Sequence, residues 1–232
     1  MGPLLVLGQD LQDKWLDWPW VSDHFDLIWE DLRAHVELTV LTVVLGLLIS
    51  VPLGILAYRH RRLYPPILGT TGVLFTIPSL ALFMLLIPWT GLSRTTALIP
   101  LVTYTLLILV RNVFTGLDGV PDDVREAAAG VGLSSGGRLA RIELPLAIPA
   151  IVAGIRIATV TTIGLVTVTS VIGQKNLGEL MFTNGFQRNF RTPVTVAIIL
   201  VVVMAVTFDL LLLLLQRLLT PWTSRRFQRA TA

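Results

Sequence analysis

Residues 116–145 read GLDGVPDDVREAAAGVGLSSGGRLARIELP, a polar stretch rich in glycine and alanine that lies between long apolar ones. Pro121 followed by Asp122 and Asp123 opens a helix, because proline is tolerated in a first turn and the acids meet the positive end of the helix dipole. The run Val-Arg-Glu-Ala-Ala-Ala at 124–129 continues as strong helix-forming sequence. Gly130 and Gly132 stop it, and Ser134 or Ser135 can cap a second short helix. Pro145 with Pro149 then marks entry into the next apolar stretch. The spacing predicts helix, turn, helix rather than a linker.

Working outward, the stretches on either side are too apolar for a soluble domain. Of 232 residues, 53% are hydrophobic and only 14% charged, against about 25% charged in an average soluble domain. Mean hydropathy is +0.75. Crossing about 30 Å of hydrocarbon takes about 20 apolar residues in a helix, and five stretches qualify: 36–58, 67–89, 95–113, 146–172 and 194–215. Pro52, Pro78, Pro88, Pro100 and Pro149 each release a backbone carbonyl, tolerable in lipid only where neighbouring helices or hydroxyls take it up. The expected fold is an all-α, polytopic membrane protein whose helices, about five in number, pack together. Residues 116–145 then form the longest loop, between the third and fourth spans.

Charge sets the expected topology. Residues 1–37 hold eight acids against Lys14 and Arg33, whereas the remainder holds seven acids against sixteen bases. With the C-terminus inside, eleven arginines fall in cytoplasmic segments, including Arg59, Arg61, Arg62, Arg225 and Arg226, against six bases outside. The positive-inside rule favours that orientation, with the N-terminus outside. No cleavable signal peptide is expected, since the first 25 residues lack a basic start and are interrupted by Asp10, Asp13 and Asp17. The chain is thus divided into an acidic, Trp-rich outer or interfacial segment (1–35), a transmembrane domain (36–218) and a basic cytoplasmic tail (219–232).

Catalysis finds little support. The chain has no cysteine, so disulfide, thiolate and Cys-ligated metal chemistry are excluded. His24, His35 and His60 are too scattered for a metal site, Ser134 and Ser135 have no histidine nearby as base, and no phosphate-binding glycine loop occurs. Neither cofactor nor metal is expected, nor a nucleic-acid partner, and the chain is read as a non-enzyme.

The central loop carries a resemblance. Glu126-Ala127-Ala128, three residues, Gly132, nine residues, then Ile142-x-Leu144-Pro145 resembles the EAA loop of permease subunits of binding-protein-dependent ABC importers, without a gap in the spacing. The resemblance implies a type I importer permease fold (MetI-like) in the plasma membrane of a prokaryote. It also implies a second permease subunit, two cytoplasmic ATPase subunits that hydrolyse the ATP, and an extracytoplasmic substrate-binding protein. A pair of two distinct permease chains is favoured slightly over a homodimer. Arg125, Glu126, Ala127, Ala128, Ala129, Gly132, Ile142, Leu144 and Pro145 are the implied ATPase-coupling residues. Small residues would let the helix enter a groove, and Gly132 would permit the reversal that presents it.

Three further segments, TIPSLAL at 76–82, RNVFTGL at 111–117 and ELPLAIPAIVAGIR at 143–156, are similar to the osmoprotectant branch, which moves glycine betaine, carnitine, choline or proline betaine. The segment GQKNLG at 173–178 departs from that branch, where a Gly-rich GAGGLG is common. Another small solute, such as an amino acid, is the alternative substrate, and an ion-coupled secondary transporter is a more distant one.

Within the spans, Arg156 and Asp209 fall at matching depth, about 12–15 Å above the cytoplasmic edge at 1.5 Å per residue. Intramembrane charges generally find a partner or water, which makes an Arg156–Asp209 pair the preferred reading, with snorkelling of Arg156 as the alternative. Candidate lining of the translocation path comes from the expected helix break at Thr76, Pro78 and Ser79, from Tyr104, and from Thr159 and Thr162 in the hydroxyl-rich fourth span.

Overall fold

The computed structural model describes residues 14–222. The basic-tail residues Arg225, Arg226 and Arg229 and the acids Asp10 and Asp13 lie outside them. The described residues form helices and turns and no strand. The principal elements are α1 (Trp18–Asp23), α2 (Phe25–Arg59), α3 (Tyr64–Thr76), α4 (Ser79–Thr90), α5 (Arg94–Asp118), α6 (Asp122–Gly130), α7 (Ser135–Arg138), α8 (Leu144–Val168) and α9 (Arg191–Leu219). Among the described residues, four uninterrupted helical runs are long and apolar enough to cross a membrane, or five if the bent pair α3 and α4 is counted as one span.

Two of these runs start well before their expected limits. The first span belongs to a helix that starts at Phe25, so a boundary at 35 falls inside α2. The fourth lies in a continuous helical run from Ser135 to Ile172, although Pro145 and Pro149 lead one to expect a fresh start. The reason is a π-turn at Leu139–Glu143. A proline clashes with the carbonyl four residues back, and the wider turn lets the helix absorb Pro145 without ending. The second expected span is broken where Thr-Ile-Pro-Ser indicates, with α3 ending at Thr76 and α4 starting after Pro78.

The chain divides into two compact units. The first contains residues 14–42, 77–102 and 160–207 among those described. Its core joins Leu38 of α2, Phe83 of α4, Ala97 and Leu101 of α5, and Val166 and Ile172. A second cluster gathers Ile28, Leu177, Leu180, Val196 and Ala197, with Leu16, Trp20 and Val21 packed against it. The described residues from Lys14 to Val21 are thereby tied down. The Asp17 amide donates to Thr192 Oγ1 (3.1 Å), and that hydroxyl donates to the Lys14 carbonyl (3.1 Å). Trp20 meets Phe190 edge-on at 5.4 Å, while Trp15, Trp18 and Trp29 stay exposed.

The departing GQKNLG segment has its own logic in this unit. Gly173 has φ +76°, and a Cβ on Gly178 would lie 2.0 Å from the Thr167 carbonyl oxygen. Asn176, fully buried, donates to Thr169 Oγ1 (3.1 Å) and accepts from the Gly178 amide (2.7 Å). Lys175 bonds outward to Glu30 (2.8 Å). That bond holds the ammonium above its ordinary pKa, against the opposing effect of desolvation.

The second unit contains residues 43–76, 103–159 and 208–222 among those described. Glycines set the approach of its helices. A Cβ on Gly46 of α2 would lie 2.1 Å from Thr105 Oγ1, and one on Gly54 2.5 Å from Val113 Cγ1. Eight residues apart, the two lie on one face of α2, which packs directly on α5. Gly154 of α8 meets Asn112 in the same way, at 2.5 Å. Gly54→Val is expected to overpack this contact and destabilise by roughly 1–3 kcal/mol. Thermal unfolding in detergent should show a lowered midpoint that Val113→Ala partly restores.

Candidate functional site: the loop between the third and fourth spans

α6 is helical for the local reasons its sequence predicts, with Pro121 at the N-cap and Asp122 and Asp123 in the first turn. Its end is a Schellman closure. The Leu133 amide donates to the Ala128 carbonyl (3.2 Å) and the Gly132 amide to that of Ala129 (2.9 Å). Gly132 has φ +84°, with open space where a Cβ would be. Glycine is favoured there by backbone conformation and not by crowding. Ser134 then caps α7, its Oγ accepting from the Gly137 amide at 3.2 Å.

The faces of α6 sort its residues. Glu126, Ala127, Ala129 and Gly130 are exposed, and Val131 at the apex is 78% exposed. Ala128 turns the opposite way and is buried. Arg125 also points inward, with its side chain only 16% exposed. Its guanidinium bonds Asp122 (2.6 Å) and donates to the carbonyls of Leu117 (2.9 Å) and Asp118 (3.2 Å), the last turn of α5. It also lies 5.6 Å from the Tyr58 ring centroid. A cation at a helix C-terminus meets the negative end of the dipole and takes up orphan carbonyls, so Arg125 fastens α6 to the end of α5. Ile142, Leu144 and Pro145 lie in the π-turn and first turn of α8, where Leu144 packs on the cluster of Val113, Leu117, Leu139 and Ala147. Among these, Arg138 Nε donates to the nearly buried Glu143 at 2.9 Å.

Deeper in the same unit, Arg156 and Asp209 form a bidentate pair, Nε to Oδ1 and Nη2 to Oδ2, both at 2.8 Å. The fork geometry joins α8 to α9 and neutralises both charges within their spans. Arg156→Asp or Asp209→Arg alone is expected to cut transporter assembly about tenfold, because each leaves two like charges facing in a low-dielectric region. The double exchange should recover most of it, as read by the yield of assembled complex on size exclusion.

The expected pathway residues are dispersed. Tyr104 and Thr159 are buried in the second unit, where Thr159 donates to the Ile155 carbonyl at 2.8 Å. Thr162 is buried in the first unit. Thr76 is exposed and bonds back to Val73 (2.7 Å), while Pro78 is exposed and Ser79 half-buried in the break.

One group of residues escaped the sequence reading. Asp31, His35, Thr39 and Thr42, at spacings of four, four and three, form one fully buried face of α2. His35 Nε2 donates to the Ile163 carbonyl at 3.0 Å. The Asp31 carboxylate, His35 Nδ1 and both threonine hydroxyls have no hydrogen-bond partner among the described residues. The helical spacing of polar residues was the available signal.

The comparisons agree with this architecture. Residues 46–225 match the model of the family described as binding-protein-dependent transport system inner membrane component. The osmoprotectant import permease protein OsmW of Salmonella typhimurium is 41% identical, covering 81% of this chain and 89% of the relative. The choline transport system permease protein OpuBB of Bacillus subtilis is 34% identical, covering 84% and 89%. Among solved structures, an inward-facing MetNI methionine ABC transporter superposes with TM-score 0.78 at 21% identity, over 85% of this chain and 98% of that one. An amino acid ABC transporter with histidines gives 0.70 at 20% identity, over 87% and 98%. With the family model matching 180 residues and curated permeases aligned over most of the chain, this multi-pass membrane protein belongs to the inner-membrane permease subunits of binding-protein-dependent ABC importers.

Proposed function

We propose that the chain imports a small zwitterionic or quaternary-ammonium osmolyte, of the kind exemplified by glycine betaine, carnitine and choline. The similarity to OsmW carries this reading, because 41% identity across most of both chains exceeds what the fold alone preserves in the methionine and amino acid transporters, at 20–21%. The permease pairs with a second, related permease chain, receives its substrate from an extracytoplasmic binding protein and rests on two cytoplasmic ATPase subunits, where ATP is hydrolysed. The exposed face of α6, from Glu126 to Val131, is the surface that meets an ATPase subunit, and it transmits nucleotide-driven motion. The N-terminus lies outside and the C-terminus in the cytoplasm, following the distribution of arginine.

Uptake by the complete importer in proteoliposomes tests the substrate. ATP-dependent accumulation of labelled betaine, carnitine or choline is expected, and accumulation of methionine or histidine in their place overturns the reading. Because the chain has no cysteine, single cysteines report sidedness directly. Arg188→Cys should react with a membrane-impermeant maleimide in intact cells and Val131→Cys should not, and the reverse pattern inverts the topology.

A further inference from the structure

A cavity of about 410 Å³ lies where the first span ends and the run Ser135–Ile172 begins, lined by Tyr58, Arg59, His60, Ser135, Arg138 and Glu143 among others. The first span's helix ends at it, at Arg59, so it opens at the depth where hydrocarbon gives way to headgroups. A tyrosine and several arginines are the residues that suit this depth. Its charges are unevenly committed. Arg138 is paired with Glu143, and those two charges cancel. Arg61, next along the chain, is paired with Asp118. The side chains of Arg59 and His60 are exposed and make no ion pair among the described residues, nor do those of the nearby Arg62 and Arg141.

We propose that this cavity is a binding site for the phosphodiester headgroup of an anionic phospholipid. Arg59 supplies a planar, permanently charged donor pair that matches phosphate oxygens. His60 and the Ser135 hydroxyl supply further donors, and Tyr58 lies at the apolar edge beside the glycerol. With Arg138 and Glu143 neutralising one another, the cavity carries one uncompensated positive charge from Arg59, matching the single negative charge of a phosphodiester. The surrounding Arg62 and Arg141 add a field that favours a lipid of net negative charge over a zwitterionic one. Since Ser135 and Arg138 stand at the base of the helix that follows Gly132, an occupied site joins the lipid to the same loop that α6 begins. The inference concerns the membrane and not the transported solute, and it stands or falls separately from the substrate assignment.

The test uses the assembled importer in nanodiscs of equal phosphatidylglycerol and phosphatidylcholine, released in native mass spectrometry to count retained lipids. Wild type is expected to keep phosphatidylglycerol in preference to phosphatidylcholine. Arg59→Gln should lower that retention roughly fivefold, one arginine's share of attraction to an anionic surface, Arg59→Lys by less, and Arg188→Gln in the other unit not at all. Equal retention by wild type and Arg59→Gln overturns the proposal, and so does equal retention of the two lipids. In phosphatidylcholine alone, protection of wild type against thermal unfolding by 10 mM inorganic phosphate, lost in Arg59→Gln, would identify the site as one for free phosphate and overturn the lipid assignment. Protection by phosphatidylglycerol but not by phosphate supports it.

Discussion

Substituting aspartate for Gly132 is expected to reduce ATP-dependent uptake to background while leaving the amount of protein in the membrane unchanged. The backbone there has φ +84°, a conformation that costs a residue bearing a Cβ about 1–2 kcal/mol. Space is not the obstacle, since nothing lies within 4 Å of an added Cβ. The strain is relieved by opening the Schellman turn, which redirects Val131 and the exposed end of α6. Aspartate also places a negative charge at the negative end of the helix dipole. Gly132→Asn, which tolerates left-handed backbone better than other side chains, should keep a substantial share of the uptake. Uptake, substrate-stimulated ATP hydrolysis and membrane content measured together separate coupling from folding. Normal uptake by Gly132→Asp would remove α6 from the coupling role.

Arg125→Ala should have the second largest effect. The side chain bonds Asp122 and two carbonyls at the end of α5 and lies over Tyr58. Losing charge-assisted bonds of this kind costs about 2–3 kcal/mol in a mostly buried setting. The cost falls on the attachment of α6 to α5 and not on the spans, so the protein should insert normally. ATP hydrolysis and uptake become uncoupled, with uptake falling by at least about tenfold if that loss is borne in the coupling step. Arg125→Lys keeps a charge near the α5 terminus but loses the fork, and is expected to fall between the two. Amide exchange of α6 should be faster in Arg125→Ala than in wild type. An Arg125→Ala protein with unchanged exchange and unchanged uptake would show that the bonds to α5 are dispensable.

The parts of this fold legible in the sequence are those decided within a few residues. Pro121, the acids after it, the alanines and Gly132 each act on their own turn, and α6 forms where their spacing puts it. The break before Ser79 was legible for the same reason, since Thr-Ile-Pro leaves the helix little choice. The Arg156–Asp209 pair came from counting residues along two helices, a calculation that needs depth and nothing else.

What stayed hidden depends on neighbours distant in sequence. Continuity of the helix through Pro145 depends on the π-turn at Leu139–Glu143, which Arg138, Glu143 and the packing of Leu139 stabilise together. The inward direction of Arg125 depends on where α5 ends, not on α6 itself. Thr159 and Thr162 share a hydroxyl-rich helix with less buried threonines, and periodicity alone does not say which face its neighbours cover. Asp31 and His35 fall within the segment 1–35 that composition makes outer or interfacial, yet α2 carries them into the first unit's interior. The described part of the acidic N-terminal segment, from Lys14 on, is held by Asp17, Trp20 and Thr192, contacts between residues far apart in sequence.

The fastening of α6 by Arg125 has a consequence for how the importer is put together. A docking helix that had to fold on contact would charge its ordering entropy, about 1–2 kcal/mol for each residue fixed, against the affinity for its partner. Here that ordering is completed when the chain itself folds, because Arg125 and the Schellman turn hold α6 within its own unit. An ATPase subunit that docks on this face, as proposed, would meet an ordered surface, with its association limited by diffusion and orientation and not by a folding step.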